Sequence, residues 1–253
     1  MLKEIVIAIQ AYRKAHIFIG KHRLWKWILI PGLVYMILFT IGLYFFWMSA
    51  DTAVSHLSKI SGVDHWLHLQ HSAAWSFILI MVGIMARLIM MFFYFSLFKY
   101  LFLIVGSPVF SYLSEKTEAI MEGKEFKFDR SVLLHDISRG VKLAFRNCFW
   151  QTVYTIFILL LSLIPLIGSI APVISGLVEC YFYGFSMLDY SCERHNLSPS
   201  ASISFISQRR GLAVGNGLVF YLMHFVPFVG WVLAPSYALV AATISIYHQN
   251  IDS

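Results

Sequence analysis

From Trp75 to Gly106 the chain reads WSFILIMVGIMARLIMMFFYFSLFKYLFLIVG, 32 residues with two charges, Arg87 and Lys99. As a helix this run is about 48 Å long, while a bilayer core is about 30 Å thick and takes about 20 apolar residues. It is longer than one span needs and has no counterpart in water-soluble folds. Three further apolar blocks cover residues 27–50, 149–188 and 211–246. Hydrophobic residues make up 59% of the 253, charged residues 13%, and mean hydropathy is +0.73. Soluble domains are closer to about half apolar and about a quarter charged. The fold expected is all-α and integral to a membrane.

The block 27–50, WILIPGLVYMILFTIGLYFFWMSA, is a first span, with Pro31 in its opening turns where a missing N–H is tolerated. Residues 1–26 carry Lys3, Arg13, Lys14, Lys21, Arg23 and Lys26, and the apolar run beyond them is too long for a signal h-region, so no cleaved leader is expected. They read as an amphipathic helix with Leu2, Ile5, Ile9 and Tyr12 on one face, suited to an anionic membrane surface. Residues 107–148 are hydrophilic and read as two cytoplasmic helices, the first opening at Ser107-Pro108 and ending at Gly123. Residues 189–210 read as a polar loop.

Charge bias orients these pieces. Lys plus Arg number six in residues 1–26, one in 51–74, seven in 107–148 and three in 189–210. The positive-inside rule places both termini in the cytoplasm and residues 51–74 outside. The net charge of +6 is a topology signal here and implies no nucleic-acid partner.

The two closing blocks are broken in the same way, by LIPLIGSIAP at 163–172 and FVPFVGWVLAP at 225–235. Proline stops an ascending helix, glycine permits a tight turn, and a second proline suits a helix start. Pro165, Gly168, Pro172, Pro227, Gly230 and Pro235 thus mark the apices of two helical hairpins, 149–188 and 211–246. Their first arms, 16 residues each, would be about 24 Å long, less than a hydrocarbon core. Two architectures fit: hairpins that penetrate without crossing, or two pairs of short spans with tight outer turns. Broken helices at membrane depth are a feature of transport sites.

Single residues add candidates. Arg87, mid-span, either lines a path, pairs with an acid such as Glu115 or Glu179, or snorkels; Lys99 reaches the interface. Glu179, in the second arm of the first hairpin, is a candidate path or gating residue. His65, His68 and His71 drift around a helix by about 60° per step and fit an interfacial helix better than a metal site. Cys148, Cys180 and Cys192 have neither redox nor zinc spacing. There is no G-x-S-x-G and no G-x-x-x-x-G-K-[ST], so neither hydrolysis nor an ATP site is expected.

Four stretches carry a family resemblance over roughly residues 5–248: ILIPGLVYMIL, VGSPVFSYLSEKTEAIMEGK, IPLIGSIAPVISGLVECYFYGFSMLDY and ISQRRGLAVGNGLVFYLMHFVPFVGWVLAP. The chain resembles the CysZ-like family, which includes the eukaryotic etoposide-induced proteins. The resemblance implies a bacterial inner-membrane protein with two long transmembrane helices and two hemi-penetrating hairpins. It implies sulfate uptake for cysteine synthesis, assembly as an oligomer, no cofactor and no enzymatic activity. Glu115 and Glu118 match acidic positions of the second stretch, which makes them candidates for gating or a structural salt bridge. The family's Pro-Gly-Leu-Arg-Arg motif before the first span falls on HRLWKW, 22–27, here. Arg23 stands at the glycine position, Leu24 at the leucine, Trp25 and Lys26 at the two arginines. Arg23, Leu24 and Lys26 are therefore the candidate anion site, and arginine in place of glycine is expected to abolish the tight turn. The alternative is a structural or lipid-organising membrane protein of the same fold without solute flux.

Overall fold

The computed structural model describes residues 1–60, 73–125, 130–164 and 168–247. Among them are eight α-helices and no strand: α1 (Leu2–Lys21), α2 (Trp25–Ile60), α3 (Ala73–Met121), α4 (Arg130–Leu161), α5 (Ala171–Arg194), α6 (Pro199–Gln208), α7 (Arg210–His224) and α8 (Val229–Tyr247). Five stretches are long and apolar enough to cross a membrane: Trp25–Ser49, Ile80–Met121, Ile137–Leu161, Ala171–Arg194 and Val229–Tyr247.

Two compact units are present. One contains Met1–Met36 and Tyr100–Ser253, the other Ile37–Lys99. In the first, α7 packs against α1, α5 and α8, and α5 also packs against α4 and α8. Small residues make this closeness possible. A Cβ on Gly217 would lie 2.0 Å from the Cys180 carbonyl oxygen, and one on Gly184 would lie 1.9 Å from that of Ala213. Around this contact Tyr183, Phe185, Met187, Leu188, Leu212 and Leu239 are buried. The second unit is built on rings: Phe39 lies 5.5 Å from both Phe95 and Phe98, and Phe46 lies 5.1 Å from Tyr94. Lys99 is buried.

Several boundaries differ from the sequence reading. The expected helix start at Ser107-Pro108 lies inside α3, which runs on to Met121. Pro108 lacks the N–H that would bond the Ile104 carbonyl, and the Ser107 hydroxyl donates to that oxygen instead, at 2.9 Å. The second hydrophilic helix continues without a break into the apolar run as α4. The loop 189–210 is mostly helical: α5 extends to Arg194, and Ser198 caps α6 by accepting from the Ala201 N–H at 3.2 Å. Helix α2 continues to Ile60, into the segment expected as an outer loop; His65, His68 and His71 lie outside the described residues.

The first helix also turns one face inward. Ala8, Ala11, Tyr12, Ala15 and Ile19 are buried, so Tyr12 packs against protein, while Leu2 and Ile9, expected with it on the face towards the membrane surface, are exposed. The reason is the small-residue surface of α7. Ala8 Cβ sits 2.8 Å from where a side chain on Gly215 would begin, so only alanine-sized groups fit. Tyr12 donates to the Asn216 carbonyl at 2.8 Å, and Glu4 accepts from the Gly211 N–H at 2.8 Å, capping the start of α7.

At the apices, Pro172 stands in the first turn of α5, whereas Pro235 lies inside α8 and starts no helix. Pro165 lies outside the described residues. Neither Gly168 nor Gly230 has positive φ; in the second apex that conformation belongs to Phe228, at φ 61°. The glycines are needed for space. A Cβ on Gly230 would meet the Met223 carbonyl oxygen at 1.8 Å, and one on Gly168 would meet that of Ser162 at 2.5 Å.

Candidate functional site

The corner between α1 and α2 is the first candidate. Helix α1 ends in a Schellman turn: the Leu24 N–H donates to the Ile19 carbonyl at 3.2 Å and the Arg23 N–H to that of Gly20 at 3.4 Å. Arg23 occupies the left-handed position with φ 53°. The expected loss of the tight turn is therefore wrong: arginine adopts the conformation that glycine favours. Left-handed backbone costs a non-glycine residue about 1–2 kcal/mol, and burial of Leu24, 1% exposed, offsets it.

The Leu24 carbonyl accepts from the Trp27 and Ile28 N–H groups at 3.0 and 3.2 Å and so opens α2. The Trp25 and Lys26 N–H groups precede the first intrahelical bonds and point out of the helix start. The Arg23 and Lys26 side chains are both exposed beside them. Positive charge, open N–H groups and the helix dipole converge at this corner, features suited to an anion. Its position is fixed from behind. Ser236 of α8 donates to the Ile28 carbonyl at 3.2 Å, and a Cβ on Gly32 would lie 2.0 Å from the Val232 carbonyl oxygen. Trp27 lies 4.1 Å from Tyr112, with the Lys116 ammonium 5.2 Å above the indole.

The second candidate surrounds Glu179. Its Oε1 accepts from Gln151 Nε2 of α4 at 2.5 Å, and its Oε2 accepts from the Tyr221 hydroxyl of α7 at 2.9 Å. Gln151 Oε1 in turn accepts from the Tyr100 hydroxyl of α3 at 2.5 Å. The carboxylate thus joins α5 to α4 and α7, and Gln151 extends the chain to α3. Sequence reasoning singled out Glu179 but none of its partners.

A third cluster lies at the polar end of the first unit. Arg139 donates to Asp189 at 2.9 Å, to the Ser202 hydroxyl at 2.5 Å and to the Leu197 carbonyl, with Glu193 at 3.7 Å. Arg194 lies 3.9 Å from Glu115 and 3.7 Å from Glu193, and His195 lies 3.2 Å from Glu118. Glu115 and Glu118 thus both meet the end of α5. Beyond α3, Glu122 at 2.6 Å holds the Lys124 ammonium above its ordinary pKa. The sequence offered one clue to this cluster, Asp189 and Glu193 at i, i+4, and the reading left both in a loop.

Arg87 is exposed on α3, in the other unit, with its guanidinium folded back over Gly83. The acids suggested as its partners are engaged as described, Glu115 by Arg194 and Glu179 by Gln151 and Tyr221.

Comparison with known proteins fits this picture. Residues 11–235 match the family described as Sulfate transporter CysZ/Etoposide-induced protein 2.4. A protein of Pseudomonas aeruginosa named Sulfate transporter CysZ is 25% identical over 228 residues, covering 87% of this chain and 89% of the relative. Relatives of the same name from Pseudomonas syringae pv. tomato and Pseudomonas fluorescens Pf-5 are 24% and 27% identical. The first covers 86% of this chain and 79% of itself, the second 56% and 57%. With its apolar helices, the protein is a multi-pass membrane protein, and it belongs to the Sulfate transporter CysZ/Etoposide-induced protein 2.4 family.

Proposed function

We propose that this protein is a permease or channel for sulfate or a closely related oxyanion, passing it through the bacterial inner membrane to support sulfur assimilation. One observation carries the reading. The corner at Arg23 keeps the left-handed turn that sets open N–H groups beside a helix start, although the residue there is arginine. Arg23 and Lys26 supply the charge, Leu24 anchors the turn, and the relatives named sulfate transporters support sulfate as the anion.

The two helical pairs, α4 with α5 and α7 with α8, penetrate the bilayer from the cytoplasmic side without crossing it. Their apices support this, because Leu163, Ile170, Val173, Phe225 and Phe228 are exposed there, between 57% and 81%. Apolar residues so exposed belong in hydrocarbon. Helix α1 lies in the headgroup plane, with Leu2, Val6, Ile9 and Ile17 outward and Lys3, Arg13 and Lys14 exposed beside them to meet anionic lipid. The anion path runs between helical pairs within a homo-oligomer, with Arg87, Glu115, Glu118 and Glu179 as path or gating residues.

The test is uptake of radiolabelled sulfate into liposomes holding the purified protein, with calorimetry on the same preparation. Saturable binding and protein-dependent uptake are expected. Absence of both leaves the structural or lipid-organising role.

A further inference from the structure

We propose that the open face of α5 between α4 and α7 binds an anionic phospholipid, with the lipid phosphate between Arg146 and Arg210. This goes beyond the transport reading and requires no solute flux.

The packing of α5 leaves one face uncovered. Gly184 and the Cys180 carbonyl meet α7, at Ala213 and Gly217. Phe182 and Ser186 meet α4, with Tyr154 at 6.1 Å between rings and Asn147 at 3.3 Å. Tyr181 stands between Cys180 and Phe182 in sequence and is turned about 100° from each. Leu177, Ile174 and Ile170 follow it on the same face, at steps of three or four residues. Tyr181 is half-buried and the other three are exposed.

The two arginines flank this face at one height. Both neighbours run antiparallel to α5: Asn147 pairs with Ser186 and Gln151 with Glu179, while Ala213 meets Gly184 and Gly217 meets Cys180. These registers set Arg146 on one side and Arg210 on the other, both level with the turn of α5 that holds Ser186. The Arg146 guanidinium lies 5.7 Å from the Phe185 ring, itself 6.1 Å from the Tyr181 ring. The Tyr181 hydroxyl lies in the field of both guanidinium groups.

Both arginines have donors to spare. Arg146 donates to the Asn147 side chain at 3.0 Å, and Arg210 Nε to the Ser207 carbonyl at 2.9 Å. Neither forms an ion pair among the described residues. Asp189, which interacts with Arg146 at longer range, is bonded to Arg139, and Glu4 caps α7 beside Arg210. Lys142, exposed one turn before Arg146, adds a third positive charge.

The dimensions suit a lipid. From Tyr181 to Ile170 the helix rises about 16 Å, and the hydrocarbon of one leaflet is about 15 Å thick. An acyl chain laid along Leu177, Ile174 and Ile170 therefore reaches the apex. From Arg146 to the end of α4 at Leu161 is about 22 Å, half of a bilayer with its headgroups. With the apices at the midplane, the guanidinium groups meet phosphate. This depth rests on the non-crossing hairpins proposed above; the register of the arginines does not. Basic pockets between helices on the cytoplasmic side suit anionic headgroups.

The test is photo-crosslinking of the full-length protein with benzoylphenylalanine in place of Leu177, in vesicles of equal phosphatidylglycerol and phosphatidylcholine. Mass spectrometry should find phosphatidylglycerol enriched about tenfold or more on the protein. Arg146→Gln/Arg210→Gln should bring the two lipids close to parity, and Tyr181→Phe should lower the enrichment severalfold. Parity without these substitutions would overturn the proposal, as would enrichment that survives the double substitution. The same probe at Leu101, exposed on α3, should show no preference. Equal enrichment there would mean bulk attraction to a cationic protein and no site. Excess sulfate should leave the preference as it is in chloride of the same ionic strength. Its loss in sulfate would assign the arginines to a free oxyanion and overturn the lipid. Should the double variant fail to fold, Arg210→Gln, at an exposed position, replaces it and must still lower the enrichment. Enrichment in protein that moves no sulfate supports this site and removes the transport reading alone.

Discussion

The Ser107 hydroxyl donates to the Ile104 carbonyl at 2.9 Å, taking the place of the N–H that Pro108 lacks. This bond lets α3 continue through a proline to Met121 and carry Glu115 and Glu118 to Arg194 and His195. Ser107→Ala should therefore destabilise the protein by about 1 kcal/mol. In Ser107→Ala/Pro108→Ala the restored N–H should recover most of that loss. Thermal unfolding in detergent measures the cycle, and additive single effects would show that the two residues do not compensate each other.

The apex glycines are there for space. Gly230→Ala places a methyl group against the Met223 carbonyl, and Gly168→Ala places one against that of Ser162. Each should cost about 1–3 kcal/mol, Gly230→Ala more. Gly176→Ala, where a Cβ meets nothing within 4 Å, is the control and should be neutral or slightly stabilising. Equal melting temperatures for all three would refute the close approach.

Arg139 holds α4, α5 and α6 together through Asp189, Leu197 and Ser202. Arg139→Leu strands Asp189, which is 5% exposed, and should cost about 3–5 kcal/mol. Arg139→Leu/Asp189→Leu should cost clearly less, because the buried Asp189 charge is removed together with its partner. If the double variant is as unstable as the sum of the singles, the pair is not the cause.

The sequence displayed the large features because they follow from its apolar lengths and its breakers. The long runs, the two Pro-Gly breaks and the membrane character were all legible. What was not legible depended on partners distant in sequence. The buried face of α1 is chosen by Gly215, more than 200 residues away. Glu179 stood out as an acid in an apolar run, but Gln151 and Tyr221, which donate to it, come from α4 and α7. Arg23 was misread because propensity disfavours arginine at positive φ, while the burial of Leu24 holds the turn.

Topology is tested by single cysteines at exposed sites. Ser55, Lys124 and Ser200 are all exposed; Cys180 and Cys192 are buried, and Cys148, which is half-buried, is first changed to Ser. The charge bias places Ser55 outside and the other two inside. An impermeant maleimide on intact cells should label Ser55→Cys alone. Labelling at Ser200→Cys would overturn the orientation.

Arg23 allows charge and backbone to be separated. Arg23→Gly removes the guanidinium and suits the left-handed turn. It relieves about 1–2 kcal/mol of strain and returns up to about 1 kcal/mol to the unfolded chain, so stability should hold or rise slightly. If the corner binds sulfate, losing a charge-assisted hydrogen bond costs about 1.5–3 kcal/mol, or roughly ten- to a hundredfold in affinity. Arg23→Ala should show the same loss of binding without the gain in backbone fit. Lys26→Ala should lose less, because an ammonium acts as a point charge where a guanidinium makes two parallel bonds. Calorimetry with sulfate, beside thermal unfolding, separates the two effects. Wild-type affinity in Arg23→Gly would mean that the side chain takes no part and that its charge serves only to hold the corner at lipid headgroups.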